Sequence, residues 1–225
     1  MVDIDKSKEV KECYEFLKQK FGIDDELELP RIYTDLEDYK KIFPAESYRI
    51  LSFQRNELGF YDRFTNALYL GDDSVITIGE EVGHWLHVIV NPLGTLRIYF
   101  PDELKRYRKQ KERREKSKIA ECVGHYAAII YSEHIGQLEE TYSWYEEFRR
   151  NIPLSKRIRM AIQRIHRYNI FTIHPWRILH DALDIIDDEH IDGYALAYRL
   201  FDKHGDSRLA EASRAMTWKE LQRLL

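Results

Sequence analysis

A predicted helix near the middle of the chain constrains the fold more than any other feature. Residues 74–90 are almost entirely apolar, follow a cap-forming segment at 72–74 and end before Asn91-Pro92. A helix that is apolar on nearly all sides has to be buried. One polar stripe interrupts it at steps of three and four residues: Thr77, Glu80, Glu81, His84 and His87. The stripe has no Lys or Arg, and burying carboxylates without a partner costs several kcal/mol, so it predicts a bound cation.

The spacing within this stripe predicts a metal site. Glu80 and His84 are one turn apart, about 6 Å from each other on one helix face, as two ligands of one metal ion require. Glu81 adjoins the first ligand and is placed to take a proton from a water molecule. This is the spacing of His-Glu-x-x-His metallopeptidases, with Glu80 standing where the first His is expected. We expect His87 to pack or to support the ligands.

A second apolar helix, at 119–131, is the expected source of a third ligand. It carries Glu121 and His125 one turn apart. Small residues recur on both helices, at Gly79 and Gly83 on the first and at Ala120, Gly124, Ala127 and Ala128 on the second. Because glycine inside a helix costs up to about 1 kcal/mol, such residues indicate close backbone approach. We therefore expect the helices to cross tightly and to bring Glu121 toward His84, with His125 in a supporting role.

Three stretches, 59–70, 79–87 and 120–128, together resemble a small zincin of the gluzincin type, over about residues 27–132. The resemblance implies an α+β, zincin-like fold, in which a strand lies above the cleft and a small N-terminal mixed sheet precedes the active-site helix. It implies a zinc-type metallopeptidase that acts on a peptide or protein substrate. By position, Glu81 would be the catalytic base and Glu121 the third ligand beside Glu80 and His84. The motif is degenerate, Glu-Glu-x-x-His in place of His-Glu-x-x-His.

The Glu at position 80 has a chemical consequence. Ligands Glu80, His84 and Glu121 supply two negative charges, where a set of two His and one Glu supplies one. Extra anionic charge weakens a metal's ability to acidify water and favours harder cations such as Mn²⁺. We expect one divalent metal, zinc or a hard cation such as Mn²⁺. The substitution leaves three outcomes open: a weak hydrolase, altered metal use, or a pseudoenzyme that keeps the fold without the chemistry.

Charge distribution raises a second class of function. Residues 104–118 carry nine basic and two acidic side chains, and residues 149–167 carry seven basic and none acidic. Such segments could serve a catalytically silent zincin-fold binding protein whose partner is a nucleic acid or an acidic protein. Ordinary solvated helices have the same pattern. No groove-reading motif accompanies these segments.

A third alternative is a di-metal four-helix carboxylate protein. Such proteins carry Glu-x-x-His on facing helices, and Glu81 with His84 matches this spacing. The best candidate for a second pair is Glu121 and His125, but their spacing is one residue longer than Glu-x-x-His. The strand-rich N-terminal third also disagrees with a four-helix bundle.

Length and composition set the frame for these alternatives. The 225 residues fit a zincin-like domain at 1–150 with a helical extension at 151–225, or one domain containing both. The net charge of −4, the two cysteines and the charged N-terminus predict a cytoplasmic protein without a membrane partner. Abundant Lys, Arg and Glu with few Asn and Gln are typical of a thermophile. The expected helices are 5–21, one short helix to Phe43, 74–90, 102–118, 119–135, 137–150, 155–168, 176–188, 192–204 and 207–225. The expected strands are a short one at 27–33, an extended segment at 47–54 and a hairpin at 59–70.

Overall fold

The computed structural model describes residues 4–35, 38, 59–63, 65–72, 74–92, 107–151 and 189–225. This part of the chain is α+β and mostly helical, with one small mixed sheet. The strands are β1 (Arg31–Tyr33), β2 (Gly59–Asp62) and β3 (Ala67–Leu70). The helices are α1 (Ile4–Phe21), α2 (Val75–Val90), α3 (Tyr107–His134), α4 (Leu138–Asn151), α5 (Glu189–His204), α6 (Leu209–Ala212) and α7 (Trp218–Gln222).

The three strands are arranged in the order β1-β3-β2, with β1 parallel and β2 antiparallel to β3. The predicted hairpin is therefore confirmed, with Phe60 opposite Tyr69. Its turn places Asn66 at a φ of +46°, a conformation that Asn tolerates better than most residues. The strand predicted over residues 27–33 is shorter than expected. The backbone N–H of Leu27 donates to the phenol oxygen of Tyr14 at 3.1 Å instead of joining the ladder.

Helix α2 forms where the apolar run predicts it. Ser74 is its N-cap, and the Ser74 hydroxyl accepts a hydrogen bond from the Thr77 N–H at 3.1 Å. The Asn91 N–H bonds to the His87 carbonyl and closes the last turn. Trp85 is 1% exposed and lies with its ring centroid 5.1 Å from that of Tyr14 on α1. Packing on both sides makes α2 the central helix of the described core.

Helix α3 differs from the expectation of two helices at 102–118 and 119–135, because it runs unbroken for 28 residues. The chain has no Gly or Pro between 107 and 123 that would break it. The helix expected at 207–225 is instead divided into α6 and α7. The carbonyl of Ala215 between them accepts a hydrogen bond from the buried Asn91 side chain at 3.1 Å. Thr217 then begins α7 with a capping box.

Several expectations lie outside the described residues: the helix ending at Phe43, a strand at 47–54, and the helices at 155–168 and 176–188. The proposed boundary near residue 150 also adjoins this part, so the division into 1–150 and 151–225 stays a prediction. Cys13 and Cys122 are buried and form no disulfide. Within the described helices, none has the length and apolar character needed to cross a membrane.

Candidate metal centre

Helices α2 and α3 cross closely because both present small residues at the contact. A Cβ atom added to Gly83 would lie 2.6 Å from the Cβ of Ala127. A Cβ added to Gly79 would lie 2.8 Å from the Cα of Ala128. Real Cβ atoms do not approach other atoms this closely, so the crossing requires glycine at both positions. The tight crossing expected from the sequence is confirmed.

The crossing places His84 of α2 against the backbone of α3. A Cβ on Gly124 would lie 2.6 Å from Cε1 and 2.8 Å from Nε2 of His84, so the imidazole occupies the space that a side chain at 124 would need. From there, His84 Nε2 lies 3.8 Å from Glu80 Oε1 and 4.0 Å from Glu121 Oε2. The structure thus brings the three sequence-predicted metal ligands together, from two helices.

His125 of α3 lies in the same group, although the sequence indicated only a supporting role. Its Nδ1 is 3.5 Å from Glu80 Oε2, and its Nε2 is 4.0 Å from Glu121 Oε2. One ligand atom each from Glu80, Glu121 and His125 lies within 4.8 Å of the others, so these three residues could hold a metal ion. The Glu121–His125 spacing was visible in the sequence, but spacing alone did not distinguish a ligand from a supporting residue at position 125.

The donor set fits a small divalent cation. Ligands 2.0–2.2 Å from a tetrahedral zinc ion stand about 3.4 Å apart, slightly less than the observed separations of the carboxylate and imidazole atoms. The side chains of Glu80, His84 and Glu121 are 15%, 16% and 14% exposed. They are therefore shielded from bulk water yet remain within reach of solvent. Carboxylate oxygens and imidazole nitrogens are both common ligands of zinc and manganese.

The charges of this group act strongly on each other. Burial raises the pKa of Glu80, but the imidazoles of His125 and His84 outweigh this effect and hold it below its ordinary value. Burial lowers the pKa of His84, but the carboxylates of Glu80, Glu121 and Glu81 outweigh that effect and raise it to about 9. At neutral pH and without a metal, the His84 imidazole therefore carries a proton. A cation that binds here has to displace this proton.

Glu81 lies apart from the other three predicted site residues. It is 6% exposed and sits under β2, where a Cβ on Gly59 would lie 2.9 Å from its Cγ and 3.2 Å from its Oε1. Glycine at 59 leaves the room that this carboxylate occupies. Its charge contributes to the raised pKa of His84, which places it within electrostatic reach of the cluster. Its role as a catalytic base stays a prediction.

Two tyrosines next to the cluster were missed at the level of sequence. The Tyr145 hydroxyl of α4 lies 2.6 Å from His125 Nδ1, and the Tyr145 ring stacks on Tyr194 of α5 at 3.8 Å between centroids. Both tyrosines are buried. Helical spacing places them on the inner faces of their helices, but it does not show which residue of α3 they meet.

His87, the last member of the polar stripe, is 2% exposed and buried away from hydrogen-bond partners. Neither of its ring nitrogens bonds to any residue that the structure describes. Burial, with a smaller effect of the charge on His84, lowers the pKa of His87 to about 3. The imidazole is therefore neutral in the folded protein, and His87 is a packing residue.

Removing His87 should make the protein less sensitive to acid. Because its folded pKa lies below its unfolded value of about 6.5, protonation favours the unfolded chain, and stability falls as the pH drops from about 6.5 toward 3. At pH 5, protonation of His87 in the unfolded chain lowers the free energy of unfolding by about 2 kcal/mol relative to neutral pH. In urea unfolding, the free energy of unfolding should differ less between pH 7 and pH 5 for His87→Leu than for the natural chain. The exposed His134 provides the control, because His134→Gln should leave the difference in place.

Comparison with models of known protein families, with curated proteins and with solved structures gives no match to this chain.

Proposed function

We propose that the chain is a metal-dependent peptide hydrolase, built on a zincin-like arrangement of one small sheet and two crossing helices. One divalent cation is held by Glu80, His84 and Glu121. The observation that carries the proposal is the approach of carboxylates from α2 and α3 to one imidazole, at 3.8 and 4.0 Å. Shielding such charges from water costs free energy. Titratable groups that act strongly on each other are therefore found most often at binding and catalytic sites.

In this proposal three residues bind the metal and a fourth transfers the proton. Glu80, His84 and Glu121 bind the cation, which, when present, lowers the pKa of water and polarises a carbonyl group. The Glu81 carboxylate accepts the proton of the attacking water while the water oxygen bonds to the carbonyl carbon. Glu81 then gives this proton to the leaving amine as the carbon–nitrogen bond breaks. Its position beneath β2 limits its contact with bulk water.

The ligand charges support a weak rather than a fast hydrolase. Two carboxylates neutralise a divalent cation fully, so less positive charge is left to acidify water. We therefore expect slow turnover, with zinc or a harder cation such as Mn²⁺ as the metal. The substrate class follows from the resemblance to gluzincins and is a peptide or protein.

A catalytically silent protein on the same scaffold is the second candidate, and one observation favours it. Because the neighbouring carboxylates raise the pKa of His84 to about 9, its protonated imidazole offsets one of their negative charges at neutral pH. A proton therefore supplies part of the charge compensation that a metal would give. The basic segments at 104–118 and 149–167, which would bind its partner, lie mainly beyond the side chains that the structure describes.

The di-metal four-helix alternative has less support. Glu81, which that alternative makes a ligand, lies against Gly59 of β2. A strand thus covers the helix face where a bundle would need another helix. The sheet order also belongs to an α+β protein.

Metal content and peptide cleavage test the proposal together. The untagged protein is stripped with a chelator, loaded separately with Zn²⁺ and Mn²⁺, desalted and analysed for metal, then assayed with a fluorogenic peptide library. We expect one equivalent of metal, lost in Glu121→Gln and retained in the control Glu133→Gln, whose side chain is exposed on the same helix. Failure to retain either metal would favour the silent protein, and so would retention of metal without cleavage of any peptide.

A further inference from the structure

We infer that α3 supplies the second imidazole that the α2 motif lacks: His125 binds the same cation through Nε2, and Tyr145 holds the ring in the required tautomer. The inference rests on the proposed metal site but changes its ligand set. It replaces a set of one imidazole and two carboxylates with a set of two imidazoles and two carboxylates.

The contacts among four residues form a closed ring. His84 approaches Glu80 at 3.8 Å, Glu80 approaches His125 at 3.5 Å, and Glu121 Oε2 lies 4.0 Å from the Nε2 atoms of both imidazoles. Carboxylates and imidazoles thus alternate around the cluster, with one of each on each helix. Glu80 meets His125 on the Nδ1 side of the ring, and Glu121 meets it on the Nε2 side. A cation bound between Glu121 Oε2 and the two Nε2 atoms would have ligands from both α2 and α3, which the sequence spacing of either helix alone does not indicate.

The position of His125 compensates for the Glu at position 80. Compared with His-Glu-x-x-His, α2 has a carboxylate where an imidazole is expected, and α3 has an imidazole one turn after its own ligand Glu121. The Nε2 of that imidazole lies 4.0 Å from Glu121 Oε2, the same distance as Nε2 of His84. The missing nitrogen ligand is therefore present in space, although it is absent from the motif.

The contact with α4 accommodates the tautomer of His125 that metal binding through Nε2 requires. An imidazole that binds a metal through one nitrogen usually donates a hydrogen bond from the other. The hydroxyl oxygen of Tyr145 lies 2.6 Å from Nδ1, close enough to accept a hydrogen bond from an Nδ1–H. Nε2, which faces Glu121, then keeps the lone pair that a metal needs.

Packing holds both rings in place. The His125 side chain is 5% exposed, and Tyr145 is 1% exposed. Tyr194 stacks on Tyr145 and meets the His125 ring edge-on, at 6.0 Å between centroids. Gly193, next to Tyr194, lets α5 approach Glu121 so closely that a Cβ there would lie 2.6 Å from the Glu121 Cβ. Three helices therefore fix the positions of these ligands.

Two nitrogen and two oxygen donors change the expected metal. Imidazole suits zinc, whereas a site built mainly of carboxylates suits manganese and other hard cations. We therefore expect zinc to be retained in preference to Mn²⁺, contrary to the expectation from Glu80 alone. Tyr145 is a positioning residue, because it acts on the metal only through His125.

Nitrogen chemical shifts of the histidine rings test the ligand set directly. In the ¹⁵N-labelled, zinc-loaded protein, long-range ¹H–¹⁵N spectra should show two imidazoles with metal-bound Nε2 and protonated Nδ1. His84→Gln and His125→Gln should each remove one of these signals. His87, which is buried without a hydrogen bond to described residues, should keep its metal-free pattern.

The Tyr145→Phe variant tests the positioning role while preserving the ring stack. We expect its zinc affinity, measured by competition with a chromophoric chelator, to fall by about 10- to 100-fold. Tyr126→Phe is the matched control, since it removes a buried hydroxyl from α3 that donates to the Gly205 carbonyl rather than to the cluster. It should bind zinc as tightly as the natural chain.

The outcomes separate this inference from the proposed function. A protein that takes up neither zinc nor Mn²⁺ overturns both, whereas one that takes up Mn²⁺ but no zinc overturns only this inference. A protein that binds zinc through a single imidazole, with unchanged affinity in Tyr145→Phe, overturns the role of His125 and leaves the proposed hydrolase standing. Should His125→Gln fail to fold, the spectrum of the natural chain, His84→Gln and Tyr145→Phe still decide the number of bound rings.

Discussion

Replacing Glu81 with Gln is expected to lower peptide hydrolysis by about 10²- to 10⁴-fold, the usual range for loss of a general base. The amide has nearly the same shape as the carboxylate, so it can remain in the space beneath Gly59. It cannot accept a proton from the attacking water. The loss should therefore be seen in kcat with a fluorogenic peptide, while the metal content stays at one equivalent.

The metal content of Glu81→Gln distinguishes a catalytic base from a metal ligand. If Glu81→Gln loses both metal and activity, Glu81 is a ligand, and its assignment as the base is wrong. If it keeps full activity, another group takes the proton. Glu133→Gln serves as the control for removing one negative charge, because Glu133 is exposed on α3. Its activity should equal that of the natural chain.

Local sequence signals predict the fold best where the decisive contacts are local. The cap at Ser74 and the continuous apolar run give α2 within one residue of its observed bounds. The turn residues between β2 and β3 predict the hairpin. The break between α6 and α7 was not predictable in this way, because the Ala215 carbonyl bonds to Asn91, 124 residues away along the chain.

The same distinction explains which part of the candidate site the sequence predicts. Glu80 and His84 share one helix, so their spacing alone places them together. The approach of Glu121 was predictable from the small residues of two helices, which indicate a tight crossing. His125 lies one turn after Glu121, so the same crossing brings it near, but the sequence does not show which of its ring nitrogens faces the cluster. The place of Tyr145 depends on how α4 packs. Neither is encoded in the spacing of a single helix.

The second large effect is expected at Gly124, which has no functional group. A Cβ in Gly124→Ala would lie 2.6 Å from Cε1 and 2.8 Å from Nε2 of His84, so the imidazole has to move. Structural zinc sites bind with about 10–16 kcal/mol, or about 3 kcal/mol for each of four ligands. Displacing this one ring should therefore weaken zinc binding by about 100-fold, as measured by chelator competition.

The fold should tolerate the change that the metal site does not. Alanine is favoured over glycine inside a helix by up to about 1 kcal/mol, and the atoms that clash belong to a side chain able to rotate. The metal-free variant should therefore unfold at a urea concentration close to that of the natural chain. Ala128→Gly, one turn further along α3 and facing Gly79, alters the crossing by the same single carbon without touching His84, so its zinc affinity should persist. Unchanged zinc binding in Gly124→Ala would contradict the assignment of His84 as a ligand, because the added methyl group and a metal-binding ring cannot share this space.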